Sequence, residues 1–262
     1  MVSLSQRKRD HDKNISAQVM SRGVFITGTD TGVGKTAITA ALARCMHAQG
    51  LRVGVMKPIE TGVPNADASH SDANRLRRAM NSDQPFDTIC QYHFPDPIAP
   101  LAAAKRHNQA LDLHKIHSAY MMLSTHYEWI VVEGVGGIMV PLSTEYRVRE
   151  LVMKLQLPCI IVSRTSLGAV NHLLLTLEAL QHAGIPSLAI VLNESSPQEH
   201  SKTTHIQNTS TIESIRVLSH APVFGPFPYD DAFDTDWDDG VGTLQHHPAM
   251  QALAHHLTRR PI

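Results

Sequence analysis

Short unbroken apolar runs punctuate this chain, and between them apolar residues recur every three or four positions. The runs are Gly23-Val24-Phe25-Ile26-Thr27, Leu51 to Met56, Trp129-Ile130-Val131-Val132, Pro158 to Ser163, Ser187 to Leu192 and Val223-Phe224. Runs of this length, rich in Val and Ile and without alternation, predict strands buried on both faces. The intervening stretches predict helices. Ala37 to His47 carries Ile38, Leu42 and Met46 at helical spacing and stops at Gly50. Leu101 to Arg106, Leu113 to Thr125, Tyr146 to Leu155, Thr203 to Leu218 and Leu244 to Leu257 follow the same rule, as does the stretch marked by Leu173, Leu174, Leu177 and Leu180. Ser71 or Asp72 caps a further helix running to about Met80. Residues 81–100, rich in Pro, Asp and aromatics, read as a long ordered loop of the kind that lines sites. Strands alternating with helices predict an α/β fold: a mostly parallel central sheet with helices on both faces, in one domain over residues 23–262.

Ligands of such sheets collect outside the carboxyl ends of the strands. After the first run comes Gly28-Thr29-Asp30-Thr31-Gly32-Val33-Gly34-Lys35-Thr36, then a helix. Strand, glycine-rich loop, Gly-Lys-Thr and helix is the plan of a phosphate-binding P-loop. Backbone N–H groups turn inward, the helix offers its positive end, Lys35 reaches the terminal phosphates and the Thr36 hydroxyl holds Mg²⁺. The general pattern G-x-x-x-x-G-K-[ST] asks for Gly at position 29, where this chain has Thr, so the neighbourhood must carry the assignment. It supplies Lys57 after the second strand, in Lys57-Pro58-Ile59-Glu60-Thr61-Gly62, where Pro and Gly are expected to end that strand. Glu133 follows the central run and Asn193 a later one. A carboxylate ending a buried strand beside a P-loop is a natural Mg²⁺ ligand, and Asp72 offers a second. Lys57 supplies a point charge suited to phosphoryl transfer. Asp234-Thr235-Asp236-Trp237-Asp238-Asp239-Gly240 imitates a calcium loop but fails at its sixth and twelfth positions, and reads as an acidic surface loop.

The bulk properties narrow the class. The 262 residues are 42% apolar with a formal net charge of −1, enough for one large core and without the basic surplus of a sequence-independent nucleic-acid binder. Cys45, Cys90 and Cys159 are widely spaced and form no zinc or disulfide pattern, which fits a reducing cytoplasm. No apolar run approaches a membrane span. Residues 1–22 are polar, lack a secretory apolar region and are expected to be a disordered tail.

The variant P-loop with Thr29-Asp30-Thr31, then Lys57-Pro58-Ile59-Glu60-Thr61-Gly62, Ser71-Asp72-Ala73, Val132-Glu133-Gly134-Val135-Gly136-Gly137 and Leu167-Gly168-Ala169-Val170-Asn171-His172 resemble, in order, the motif set of the dethiobiotin synthetases. The resemblance spans roughly residues 23–230 and accounts for the displaced glycine. It implies an ATP- and Mg²⁺-dependent cyclo-ligase of biotin synthesis that joins 7,8-diaminononanoate and CO₂ into dethiobiotin. It also implies residue roles. Gly32, Val33, Gly34, Lys35, Thr36 and Ala37 would cradle the nucleotide phosphates, with Lys35 catalytic. Thr36, Asp72 and Glu133 would hold Mg²⁺, beside Gly134, Val135 and Gly136. Lys57 would contact carbamate and γ-phosphate, and Thr61 the substrate. Asn193 would recognise adenine, with Glu194, Pro228, Tyr229 and Asp230 nearby. The family's active site lies at a homodimer interface, where Leu167, Gly168, Ala169, Val170 and Asn171 would bind the substrate carboxylate of the partner subunit. Gly32 departs from the pattern, since many members carry an acidic residue there.

Three rival readings remain open to comparison. Partition and septum-positioning ATPases share the expected fold, but their signature lysine falls where this chain has Asp30. A cobyrinate-type amidating synthase would need a glutaminase domain for which the chain is too short. A non-catalytic nucleotide-binding regulator leaves Lys57 and Thr61 unexplained. Membrane-bound relatives of the first group end in an amphipathic helix, of which Leu253, Leu257, Arg259 and Arg260 give only a faint version.

Overall fold

The computed structural model describes residues 22–66, 68–197 and 201–259. Its centre is a six-stranded parallel sheet of β1 (Arg22–Gly28), β2 (Val53–Met56), β5 (Trp129–Gly137), β6 (Cys159–Ser163), β7 (Ser187–Asn193) and β8 (Val223–Phe227), in the order β2-β5-β1-β6-β7-β8. The apolar runs thus form one sheet, as their lack of alternation predicts, and alternation returns in three dimensions as a division between two cores. Val24, Ile26, Val131, Ile160, Val162 and Val191 face one side. Phe25, Ile130, Val132, Ile161, Ile190 and Leu192 face the other. Because successive strand residues point to opposite faces, each strand feeds both layers.

The first side is covered by α1 (Lys35–Ala48), whose Ile38, Leu42 and Met46 are fully buried as their spacing predicts. The opposite side is covered chiefly by α5 (Leu113–Ser124), α6 (Val148–Leu155), α7 (Ala169–His182) and α8 (Lys202–Leu218). The smaller helices α2 (Asp72–Ala79), α3 (Phe86–Ile89) and α4 (Pro100–Arg106) belong to the crossover between β2 and β5.

Four expectations change. The second strand stops at Met56 before the Lys57-Pro58 turn as expected, but a short strand not foreseen there, β3 (Ile59–Thr61), follows at once. Residues 81–100 are not simply loop: they hold α3 and then β4 (Tyr92–Phe94), which pairs in parallel with β3, Glu60 opposite His93. Two three-residue strands are too short to leave a periodic trace. The acidic stretch at 234–240 is not a surface loop. It closes α9 (Ala232–Thr235) and opens α10 (Trp237–His246), whose first turn is capped by the Asp236 carboxylate accepting from the N–H groups of Asp238 and Asp239. Finally, the C-terminal helix is two: α10 stops before His247-Pro248, and α11 (Pro248–Thr258) starts with proline in its first turn, where the missing N–H costs nothing. Leu253 and Leu257 of α11 are buried in the core beside α1, so that helix offers no apolar face to a membrane. Arg22 begins β1; residues 1–21 and Arg260 lie outside the described residues.

Phe25 is fully buried, and Gly134 leaves it room: a Cβ there would lie 2.6 Å from the ring. Phe25→Ala is expected to destabilise the fold by about 3–5 kcal/mol, read from the urea unfolding midpoint. Gly134→Ala should also destabilise, through overpacking rather than a void.

Candidate active site

The P-loop hangs between β1 and α1. Thr29 N–H donates to the Val162 carbonyl at 2.9 Å, tying the loop's start to β6. Gly32 (φ 70°) and Gly34 (φ 91°) take left-handed conformations that favour glycine. At Gly34 space forbids anything larger, since a Cβ would fall 2.2 Å from the Asn193 side-chain nitrogen. Asn193 ends β7 on the same face as Val191 and donates from Nδ2 to the Val33 carbonyl at 3.0 Å, bracing the loop from below. The first turn of α1 carries no side-chain cap and no acidic residue, so its N-terminal partial charge is left for an anion. Lys35 folds back to donate to the Asp30 carbonyl at 3.1 Å. Burial, and next the nearby Lys57 charge, lower its pKa to about 8.

Strand parity delivers the next group. Val131 faces α1, so Glu133 two residues on does too, beside the first turn of that helix. Thr36 Oγ1 donates to Glu133 Oε1 at 2.9 Å. Lys57 Nζ lies 2.5 Å from the same oxygen and 2.9 Å from Asp72 Oδ2, and donates to the Gly134 carbonyl at 3.3 Å. Lys57 is 3% exposed and Glu133 not at all. Burial would lower the Lys57 pKa, but Asp72, Glu133 and Glu60 outweigh it and hold the ammonium well above the ordinary lysine range. Burial pushes the Glu133 carboxyl up, with Lys57 opposing it. For Asp72 the burial penalty is overcome by the charge and hydrogen bond of Lys57, by Thr36 and by Arg75, leaving its pKa below normal.

This donor set suits Mg²⁺. Two carboxylates and a hydroxyl converge beside the P-loop, all hard oxygen ligands, and Glu133 Oε2 is buried without a hydrogen-bond partner. Lys57 holds Glu133 Oε1 and Asp72 Oδ2 as a cation would.

These side chains form one end of a cavity of about 600 Å³. Of the residues anticipated from sequence, its walls include Gly32, Gly34, Lys35, Thr36, Ala37, Lys57, Thr61, Asp72, Glu133, Val135, Gly136, Asn193, Glu194, Pro228, Tyr229 and Asp230. Val33 and Gly134 lie behind the walls: Val33 is buried beneath the loop, and Gly134 contributes its carbonyl to Lys57. The segment Leu167, Gly168, Ala169, Val170 and Asn171, at the start of α7, does not reach the cavity, and Leu167 is 80% exposed.

Among the wall residues not anticipated, four stand out. Glu60, between Lys57 and Thr61, is buried, and burial followed by the Asp72 charge pushes its pKa up to about 7. Arg75 follows Asp72 by three residues, a spacing that sets both on one face of α2 and could have revealed it. Its guanidinium stacks 4.5 Å from the centre of the Trp237 ring. Trp237 meets Phe233 edge-on at 5.2 Å. Trp237 comes from the 234–240 stretch that reads as acidic surface and Phe233 from just before it, and only tertiary packing brings them to the site.

The charge balance has a measurable consequence. Without divalent cations, Lys57→Met leaves Glu133 and Asp72 without their cation and is expected to cost about 3–5 kcal/mol. The Lys57→Met/Glu133→Gln double variant should be clearly more stable than the sum of the two single changes, read from a double-mutant cycle of denaturant unfolding.

A family model described as an AAA domain matches residues 22–236. The chain is 43% identical over 178 residues to the ATP-dependent dethiobiotin synthetase BioD of Anaeromyxobacter dehalogenans (strain 2CP-C), covering 68% of this chain and 79% of that one. It is 39% identical over 219 residues to the protein of the same name from Thermodesulfovibrio yellowstonii, covering 80% and 90%. Among solved structures, the MinD cell division protein of Aquifex aeolicus aligns with 92% of this chain and 99% of its own at a TM-score of 0.55 and 14% identity. A ParA family ATPase from Chlorobium tepidum aligns with 91% and 99% at 0.52 and 16%. At such identities the two structures share the fold alone with this chain. The sequence relatives carry more, because their identity is far higher over more than two thirds of each chain, and by them the chain belongs to the dethiobiotin synthetase family.

Proposed function

We propose that this protein is an ATP-dependent dethiobiotin synthetase, closing the ureido ring of dethiobiotin from 7,8-diaminononanoate, CO₂ and ATP as a cyclo-ligase. The observation that carries the reading is the convergence of Lys57, Asp72, Glu133 and Thr36 at the head of the P-loop, with Thr61 on the same wall. A nucleotide-binding regulator needs the P-loop; it does not need a buried lysine aimed past it.

One amine of the diamine adds to CO₂ and loses a proton, giving a carbamate. A carbamate oxygen then attacks the γ-phosphorus, and the bond to the ADP oxygen breaks. The second amine attacks the resulting mixed anhydride within the same molecule, the ring closes, and phosphate leaves with the amine's proton going to solvent or base. Holding both amines in one bound molecule makes the last step effectively unimolecular.

The residues divide the work. Lys35 and the N–H groups of the loop and the α1 terminus bind the phosphates. Lys57 shares Glu133 Oε1 with Thr36 of the P-loop and the cavity with Thr61, where its charge can follow the phosphoryl group from donor to acceptor. Asn193, Glu194, Pro228, Tyr229 and Asp230 line the cavity from the ends of β7 and β8 and form the nucleobase end of the site. Thr36, Asp72 and Glu133 would hold Mg²⁺, which when bound supplies positive charge to the phosphate oxygens. Lys57 would then exchange its carboxylate partners for the negative oxygens of carbamate and γ-phosphate.

The homodimer belongs to the same proposal. The exposed start of α7, with Leu167, Gly168 and Asn171 at the surface, is assigned to the carboxylate of substrate held in a second subunit. The reaction is assigned to the cytoplasm, where the three free, buried cysteines stay reduced; no described helix is long and apolar enough to cross a membrane.

Phosphate release from ATP should require both the diamine and CO₂, followed with a phosphate assay. ATPase activity that ignores the diamine and rises with DNA or lipid vesicles would replace this reading with that of a switch ATPase. Lys57→Ala should abolish turnover while nucleotide binding measured by calorimetry survives. Mixing Lys35→Ala subunits with subunits altered at 167–171 should restore part of the activity; demonstrated mixed dimers without activity would remove the shared site.

A further inference from the structure

Asp72 reaches the cavity from the first position of a helix whose direction must be fixed for its carboxylate to point correctly. The first turn of any helix leaves N–H groups without intrahelical partners. In α2 each is taken. Ser71 Oγ accepts from Asn74 N–H at 3.1 Å, the usual cap. The Ser71 N–H donates to the Ala68 carbonyl at 3.0 Å, and the remaining two are taken by a residue twelve and thirteen positions back: Glu60 Oε1 accepts from Asp72 N–H at 2.5 Å and Glu60 Oε2 from Ala73 N–H at 3.1 Å. A buried carboxylate spanning two successive N–H groups fixes both the position and the rotation of that terminus, and the helix's positive end favours its charge. Glu60 itself is held in β3, paired with His93 of β4, one residue before Thr61 and three after Lys57.

We propose that Glu60 is a positioning residue that aims Asp72 at the cation, through its paired hydrogen bonds to the Asp72 and Ala73 amides. The proposal rests on the assignment of Asp72 as a Mg²⁺ ligand. It ties the strand carrying Thr61 to the helix carrying the metal carboxylate, so that the substrate end and the metal end of the site keep one geometry. Glutamine at position 60 retains one acceptor oxygen but turns an N–H₂ toward the second amide. Aspartate keeps both oxygens on a shorter stem.

The test is a calorimetric titration of Mg²⁺ into the full-length protein saturated with ADP, with nucleotide affinity also measured in EDTA. Glu60→Gln is expected to weaken Mg²⁺ binding by about 10-fold or more, the usual effect of losing a group that orients a metal ligand, while ADP affinity in EDTA stays unchanged. Glu60→Asp should restore part of the loss. Ser71→Ala removes a cap from the same helix without touching Asp72; it should lower the unfolding midpoint and leave Mg²⁺ affinity intact. If Ser71→Ala weakens Mg²⁺ as much as Glu60→Gln does, helix fraying explains the effect and the proposal fails. If Asp72→Asn weakens Mg²⁺ but Glu60→Gln does not, Glu60 has no positioning role while the metal assignment stands. If Asp72→Asn changes nothing, both fall together. Should Glu60→Gln not fold, the Glu60→Asp titration decides: Mg²⁺ affinity below wild type with ADP affinity in EDTA unchanged supports the proposal, while wild-type Mg²⁺ affinity, or a changed ADP affinity in EDTA, overturns it.

Discussion

A lysine ammonium taken fully out of water is tolerated only against matched negative charge, and Lys57 meets two carboxylates within 3 Å. Those carboxylates come from separate elements, Glu133 from the middle of the sheet and Asp72 from the start of α2. Lys57 itself begins the crossover that leaves the sheet's edge strand. The sheet already sets Lys57 beside Glu133, since Met56 pairs with Val132, and the ion cluster adds Asp72 from the crossover to that pair. The cluster is also incomplete by itself, since Glu133 Oε2 keeps an unused acceptor in a dry environment. An uncommitted buried oxygen beside a helix terminus without a cap is a polar arrangement that the protein's own groups leave open to a ligand.

The sheet makes this arrangement cheap to build. Parallel strands bring their carboxyl ends to one edge, and the two-residue repeat decides which side chains look toward α1. Glu133 and Asn193 share that face with Val131 and Val191, so one side of the sheet supplies the buried Glu133 carboxylate, the brace under the P-loop and the packing for α1. Gly34 is the counterpart in the loop: it passes over Asn193 with no room for a side chain.

How much of this could be read from the chain follows from the range of the forces involved. The long buried strands and amphipathic helices announce themselves because burial imposes a pattern over many residues, and the P-loop because its backbone geometry restricts residue types locally. Lys57, Asp72 and Glu133 were readable as strand-end or helix-start residues, and the cavity brings them together. What escaped was either too short to hold a pattern, as β3 and β4, or defined by packing between distant segments. Glu60 looked like one more polar residue in a turn, and its importance lies in amides twelve and thirteen residues ahead. Trp237 sat in a run whose charge suggested solvent, yet Asp236 turns that run into a helix start and carries the ring inward. The segment at 167–171 was recognised by likeness alone, and within one chain it stands apart from the cavity.

The chain contains two tryptophans, and the fold gives them opposite surroundings. Trp129 opens β5 and is 2% exposed in the core, away from the cavity. Trp237 lines the cavity with a guanidinium stacked on its ring. Indole emission responds to nearby charge and to water, so one ring is set to register what enters the cavity while the other supplies a constant background. Occupancy of the site is thereby written into the protein's own light, with no label attached.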